Sequence, residues 1–113
     1  MEQSLPAIAD SRALLAAAGH DGPIWSSSSE QLNVNLIRLS AGAAIEAHIN
    51  TELDVPIVVI AGDGLVTLDE TERRVHAGDI VVIPRAMRRA IASVGGEFVY
   101  VTCHRRRAAL MPS

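Results

Sequence analysis

The length of 113 residues suits one folded domain, and the apolar fraction of 49% argues against disorder. The net charge of −3 argues against general nucleic-acid binding. No apolar run approaches the roughly 18 residues needed to cross a bilayer, and residues 1–4 lack the basic start of a secretory signal. The single cysteine, Cys103, cannot form an internal disulfide, so we expect a cytoplasmic protein.

The basic residues are unevenly distributed, and every one of the ten is arginine. Six of them lie at Arg85, Arg88, Arg89 and residues 105–107. Arginine forms bidentate pairs with carboxylates and phosphates, which the point charge of lysine does not. Two interpretations stay open: a solvated rim with intersubunit ion pairs, or a site that recognises an anion.

Near the N-terminus, one short helix is predicted. Asp10 and Ser11 offer capping side chains, residues 12–18 are mostly good helix formers, and Gly19 provides a terminal glycine. The pattern changes after Gly22, so the chain divides into a helical segment over residues 1–22 and a single domain over residues 23–113.

The rest of the chain reads as short strands rich in valine and isoleucine and separated by Gly, Pro, Asn or acidic turns. The predicted strands are Leu32–Leu39, Ile45–Ile49, Val55–Ile60, Leu65–Leu68, Arg73–His76, Ile80–Ile83, Arg88–Ser93 and Phe98–Cys103. Eight short strands at this spacing predict an all-β fold, an antiparallel sandwich or barrel.

Two of these strands are apolar on both faces. Residues 57–60 and 80–83 consist entirely of isoleucine and valine, whereas a strand with one face in solvent alternates apolar and polar side chains. The second apolar face of each strand must therefore pack against another surface. We predict a homodimer formed through one sheet face, because an exposed apolar patch is unusual on a monomer.

Residues 42–64 and 78–89 carry a glycine, histidine and proline spacing that resembles the two motifs of the cupin family. The matching positions are Gly42, His48 and Gly62 in the first motif and Gly78 and Pro84 in the second. The strings Gly-Asp-Ile-Val-Val-Ile-Pro and Gly-Asp-Gly are the most specific parts. The resemblance, over roughly residues 30–104, implies a cupin-type jelly-roll barrel with a ligand cavity inside it.

The sequence departs from the family where cupins hold a metal, usually with three histidines and a glutamate. His48 is retained, but the other three positions hold Asn50, Val55 and Arg89, and the glycine after Pro84 is Ala86. An arginine cannot ligate a metal, and its charge repels one. We therefore expect no cofactor; a bound divalent metal would need His48 together with Glu52, Asp54 or His104.

Strand alternation and the resemblance together describe the expected cavity. His48 and Asn50 are two residues apart, so both should point to the same side of their strand. The resemblance implies that this side is the barrel interior, where Arg89 would also point, with Asp54 or Glu52 at the rim. Two interpretations stay open. Arg89 could pair internally with Asp54 or Glu52, or Arg89 and His48 could receive the carboxylate or phosphate of a small ligand.

The leading functional hypothesis is a metal-independent binder of a small anionic metabolite, with His48, Asn50, Asp54, Arg89 and His104 as ligand-binding candidates. The alternative, implied by metal-free relatives in the family, is an isomerase or epimerase that uses acid–base chemistry. His48 would then be the base and Tyr100 the acid. A metal-dependent oxygenase ranks third.

Overall fold

The computed structural model describes residues 6–106, which form one short helix and nine strands. The elements are α1 (Ser11–Ala17), β1 (Gly22–Ser28), β2 (Leu32–Leu39), β3 (Ala44–Ile49), β4 (Val55–Ala61), β5 (Asp63–Leu68), β6 (Thr71–His76), β7 (Ile80–Ile83), β8 (Arg88–Ser93) and β9 (Phe98–Arg105). The predicted all-β fold is confirmed, and so are the eight predicted strands, three of them with the same bounds. No helix in the described part of the chain is long and apolar enough to cross a membrane.

The start of α1 follows the predicted capping chemistry. The Asp10 carboxylate accepts hydrogen bonds from the backbone N–H groups of Arg12 and Ala13, at 3.0 and 3.3 Å. The end of the helix differs from the prediction. Ala18 caps it in an extended conformation, and Gly19 does not adopt the left-handed geometry of a glycine cap.

Strand β1 is the element that the sequence pattern missed. Its residues Gly-Pro-Ile-Trp-Ser-Ser-Ser have weak strand propensity, and residue 22 was placed in the helical segment. Tertiary pairing overrides the propensity, because β1 lies antiparallel to β2 along its length. Ser26 and Ser28 reinforce this pairing by donating hydrogen bonds to Asn35 and Asn33 at 2.7 and 2.5 Å.

The strands form two antiparallel sheets that face each other, as a cupin-type β-sandwich requires. The five-stranded sheet has the order β1-β2-β9-β4-β7 and the four-stranded sheet the order β3-β8-β5-β6. A single core fills the space between them. Its buried members are Leu39, Ile57, Val59, Val66, Val75, Ile83, Ile91, Phe98 and Tyr100.

Two glycines at the β4–β5 corner permit a close approach of backbone to Phe98. A Cβ atom at Gly62, whose φ is 80°, would overlap the carbonyl oxygen of Glu97. A Cβ atom at Gly64 would overlap the Phe98 ring, which has no exposed surface. The Gly-Asp-Gly string is therefore required by packing.

We expect Gly64→Ala to lower the free energy of unfolding by about 1–3 kcal/mol, because the added methyl group overpacks a core with no space beside Phe98. Urea denaturation measures the change. Gly96→Ala is the control: a Cβ atom there meets nothing within 4 Å and φ is not positive, so its stability should differ little from wild type. Equal effects of the two substitutions would contradict the packing argument.

The outer face of β4 and β7 exposes the apolar side chains that the two-sided pattern predicted. Ile57 and Val59 point into the core, whereas Val58 and Ile60 are 37% and 39% exposed. On β7, the neighbouring edge strand, Ile80 and Val82 are 69% and 63% exposed. Helix α1 packs mainly beside β1, at the opposite edge of this sheet from β7. The homodimer through this face therefore stays a prediction.

We expect Val82→Arg to convert a dimer into a monomer, because a charge at the centre of an apolar interface cannot be desolvated without a partner. Size-exclusion chromatography with light scattering at micromolar concentration measures the mass. The control is Ile49→Arg, since Ile49 is similarly exposed but belongs to the other sheet. A wild-type protein that is already monomeric would refute the predicted dimer.

Candidate ligand-binding site

Arg89 is the one charged side chain that is buried among residues 6–106, with 4% of its surface exposed. It lies on β8, and its strand neighbours are His48 on β3 and Leu68 on β5. Leu68 packs against the core. Residues paired across an antiparallel ladder share a face, so Arg89 also points between the two sheets.

The Arg89 guanidinium is held by backbone carbonyl groups. Its Nε atom donates to the carbonyl oxygen of Met87 at 2.8 Å, and its Nη2 atom donates to that of Pro84 at 2.9 Å. Both carbonyls belong to the turn between β7 and β8, immediately before Arg89 in the chain. This turn therefore fixes the orientation of the guanidinium.

No ion pair neutralises Arg89 within residues 6–106. The internal pair with Asp54 or Glu52 that the sequence allowed is not formed: Asp54 instead accepts a hydrogen bond from the backbone N–H of Arg85 at 2.8 Å. Burial lowers the pKa of Arg89, but a guanidinium stays protonated at neutral pH. Desolvating such a charge without a counter-ion costs several kcal/mol.

The turn that holds Arg89 contains a strained residue. Ala86 has a φ of 68°, in the left-handed region, at the position where the cupin motif has glycine. Its backbone N–H donates to the carbonyl oxygen of Asn50 at 2.7 Å, which ties the turn to the end of β3. The chain therefore adopts a left-handed backbone at this position without the glycine that usually accommodates one.

His48 and Asn50 occupy different environments from Arg89. His48 lies opposite Arg89 on the edge strand β3, but its ring is exposed and its Nδ1 atom is 3.1 Å from the carbonyl oxygen of Glu46. The Oδ1 atom of Asn50 accepts hydrogen bonds from the N–H groups of Glu52 and Leu53. The Oδ1 atom of Asn50 therefore shapes its own loop, and of these three residues only Arg89 is both buried and charged.

Strand β9 brings Tyr100 and His104 to the inner face of the five-stranded sheet. Tyr100 is 1% exposed and belongs to the core, and its ring centroid lies 5.3 Å from that of Phe98. Thr102 and His104 follow at the same parity and are half-buried. The sequence carries no signal that assigns Tyr100 to one face, because residues 98–101 are apolar at both parities.

An open cleft lies beside the β7–β8 turn. It has a volume of about 470 Å³ and is lined by Glu52, Leu53, Asp54, Arg85 and Arg105. The side chains of Arg85 and Arg105 form no ion pair with any residue of the described part of the chain. The cleft thus combines the predicted acidic rim with two arginines, while Arg107 lies outside the described residues.

The residues at the family's metal-ligand positions do not fit a metal ion. Arg89 supplies a positive charge, Val55 supplies no donor atom, and the Oδ1 atom of Asn50 is engaged by its own loop. Within residues 6–106, no three side chains of His, Cys, Asp or Glu converge as a metal site requires. The alternative set of His48 with Glu52, Asp54 or His104 is therefore not assembled.

The chain belongs to the cupin family, because the Cupin_2 model, described as the cupin domain, matches residues 35–104. The match runs from the middle of β2 to the penultimate residue of β9, and so it contains both motifs. No curated protein matches the sequence significantly.

Solved structures share the fold at low sequence identity. KdgF from Halomonas sp. is 20% identical over 75% of this chain and 78% of its own, with a TM-score of 0.67. A cupin-2 domain protein from Shewanella frigidimarina is 13% identical over 88% and 95%, with a TM-score of 0.72. A putative sugar phosphate isomerase from Acidithiobacillus ferrooxidans is 22% identical over 69% and 52%, with a TM-score of 0.64. At these identities the likeness shows the fold alone.

We expect Ala86→Gly to raise the free energy of unfolding by about 0.5–1 kcal/mol, because relief of the left-handed strain exceeds the entropy that glycine adds to the unfolded chain. Thermal or urea unfolding measures it. Ala77→Gly, at an exposed turn residue without a positive φ, should instead destabilise the protein by a similar amount. A loss of stability in Ala86→Gly would contradict the assignment of strain.

Proposed function

We propose that this cupin-family protein binds a small anionic metabolite between its two sheets, through Arg89 and without a metal. The observation that carries the proposal is a buried guanidinium that no carboxylate neutralises within residues 6–106. An anionic ligand would supply the missing negative charge in a site of low dielectric constant, where a charge-assisted hydrogen bond is strongest.

The geometry of Arg89 leaves one edge of the guanidinium for a ligand. The bonds to Met87 and Pro84 use the Nε hydrogen and one Nη2 hydrogen, which is the side edge of the group. The Nη1 atom and the second Nη2 hydrogen form the end edge, and this is a fork that a carboxylate matches with two parallel hydrogen bonds. The rigid turn therefore prepares the fork before the ligand arrives.

The cleft beside the β7–β8 turn supports the same proposal. Arg85 belongs to the turn whose carbonyl groups hold Arg89, and Arg105 faces the cleft from the end of β9. Both guanidinium groups lack an ion-pair partner among the described residues. Glu52 and Asp54 in the same lining offset the two positive charges, so the support from the cleft is two guanidinium groups that can donate charge-assisted hydrogen bonds to an anion near the turn.

An acid–base enzyme has less support from the contacts. A general base needs an orienting partner, and His48 has the backbone carbonyl of Glu46 at 3.1 Å instead of a carboxylate. Burial raises the pKa of Tyr100, which makes it a poorer proton donor. The solved neighbours differ in activity, including a putative sugar phosphate isomerase and a predicted oxalate decarboxylase, and they favour no single reaction.

A thermal-shift panel of small carboxylates and sugar phosphates tests the proposal. A ligand present at about 100 times its Kd should raise the Tm by roughly 10 °C, since it stabilises the folded state by about 2.7 kcal/mol. We expect Arg89→Met, which removes the charge and keeps the length of the side chain, to abolish that shift. Arg88→Met is the matched control, because Arg88 is the exposed neighbour on the same strand.

The two substitutions separate a specific site from general electrostatics. The proposal requires that Arg88→Met keep the shift, because both variants lose one positive charge. An equal loss in both variants would indicate non-specific attraction. A shift that survives in Arg89→Met would remove Arg89 from the site and overturn the proposal.

A further inference from the structure

The hydroxyl group of Tyr100 is an unsatisfied polar group inside the sandwich. Tyr100 is 1% exposed, and its hydroxyl oxygen is the one buried side-chain N or O atom of the described residues without a hydrogen-bond partner. Leaving such a group unpaired costs about 1–3 kcal/mol. The nearby Thr102 differs, because its hydroxyl oxygen accepts a hydrogen bond from Asn35 at 3.4 Å.

Tyr100 and Arg89 face the same interior from opposite sheets. Tyr100 pairs with Ile37 and Val59, which pack in the core, and Arg89 pairs with Leu68, which packs against it. Packed sheets are about 10 Å apart, and an arginine and a tyrosine side chain together span that distance. A ligand that contacts both groups must therefore place an anionic atom at Arg89 and another oxygen atom at the phenol.

The charge available in the interior selects the kind of anion. Arg89 supplies one positive charge, and the described residues add no other buried charge. A monocarboxylate balances this charge, whereas a phosphate monoester carries between 1.5 and 2 negative charges at about pH 7 and would leave an excess buried. The planar fork of the guanidinium also matches the planar carboxylate.

The second group on the ligand must be a neutral oxygen. Because burial raises the pKa of Tyr100, the phenol stays protonated and can both donate and accept a hydrogen bond. A hydroxyl or keto oxygen satisfies it without adding charge. A plain alkyl carboxylate would leave the phenol unpaired.

We infer that the ligand is a small hydroxy- or oxo-monocarboxylate, whose carboxylate binds Arg89 and whose hydroxyl or keto oxygen hydrogen-bonds the Tyr100 hydroxyl. This inference rests on the proposed function of Arg89 and adds the class of ligand. It assigns Tyr100 the recognition of a neutral oxygen, in place of the proton transfer considered from the sequence.

Binding measurements with lactate and propionate test the inference, because these two acids differ by a single hydroxyl group. Titration calorimetry on the wild-type protein should give a Kd for lactate roughly 3- to 10-fold lower than for propionate, the effect of one net hydrogen bond. Tyr100→Phe removes only the phenolic oxygen and should make the two Kd values equal by weakening lactate alone. Pyruvate serves as the oxo-acid probe and should behave as lactate does.

The variants distinguish failure of this inference from failure of the proposed function. If neither acid binds, or if binding survives in Arg89→Met, the proposed function fails and the inference fails with it. If both acids bind through Arg89 with equal affinity, or if Tyr100→Phe keeps the preference for lactate, only the inference is overturned.

Stability of the free protein gives an independent readout. If the Tyr100 hydroxyl has no hydrogen-bond partner in the free protein, Tyr100→Phe should unfold at the same urea concentration as wild type or at a higher one. A loss of about 1 kcal/mol or more would show that the hydroxyl already has a partner, such as a buried water, and would contradict the inference.

Discussion

The positive charge of Arg89, buried between two sheets and neutralised by no carboxylate of residues 6–106, is the constraint on which the rest of the site depends. A charge in this position must be oriented by neighbouring dipoles and neutralised by an anion. The β7–β8 turn provides the dipoles, since the carbonyl groups of Pro84 and Met87 accept two of its hydrogens. The strained residue Ala86 belongs to that same turn, so the turn that orients the guanidinium lowers the stability of the folded state.

The fold explains how one family motif can serve a different chemistry. The cupin sandwich places the end of β3 and the start of β8 side by side, so any residue at position 89 points between the sheets beside position 48. Under the proposed function, replacing a histidine by arginine at this position keeps the location of the site and changes its charge preference from cation to anion. On that proposal, the scaffold sets the place of the ligand, and the side chain at one register position sets the charge that the ligand carries.

The resemblance to the cupin motif directed Arg89 toward the interior, and the structure buries this side chain between the sheets. The sequence left open whether a carboxylate pairs with Arg89. Whether a carboxylate reaches that guanidinium depends on the path of the loop between β3 and β4, and parity carries no information about it. In the structure, Asp54 turns to the backbone of Arg85, and the Oδ1 atom of Asn50 turns to its own loop. His48 is exposed because β3 lies at the edge of its sheet.

The sequence by itself determined the all-β architecture and eight of the nine strands, because hydrophobic periodicity and turn residues act over a few neighbouring positions. Only the tertiary structure decided that the serine-rich segment Gly22–Ser28 is a strand, since its pairing with β2 outweighs a weak propensity. Only the tertiary structure, likewise, left both Arg89 and the Tyr100 hydroxyl without a side-chain partner among residues 6–106. Such a coincidence depends on which side chains two separate sheets bring to one interior, and no local pattern encodes it.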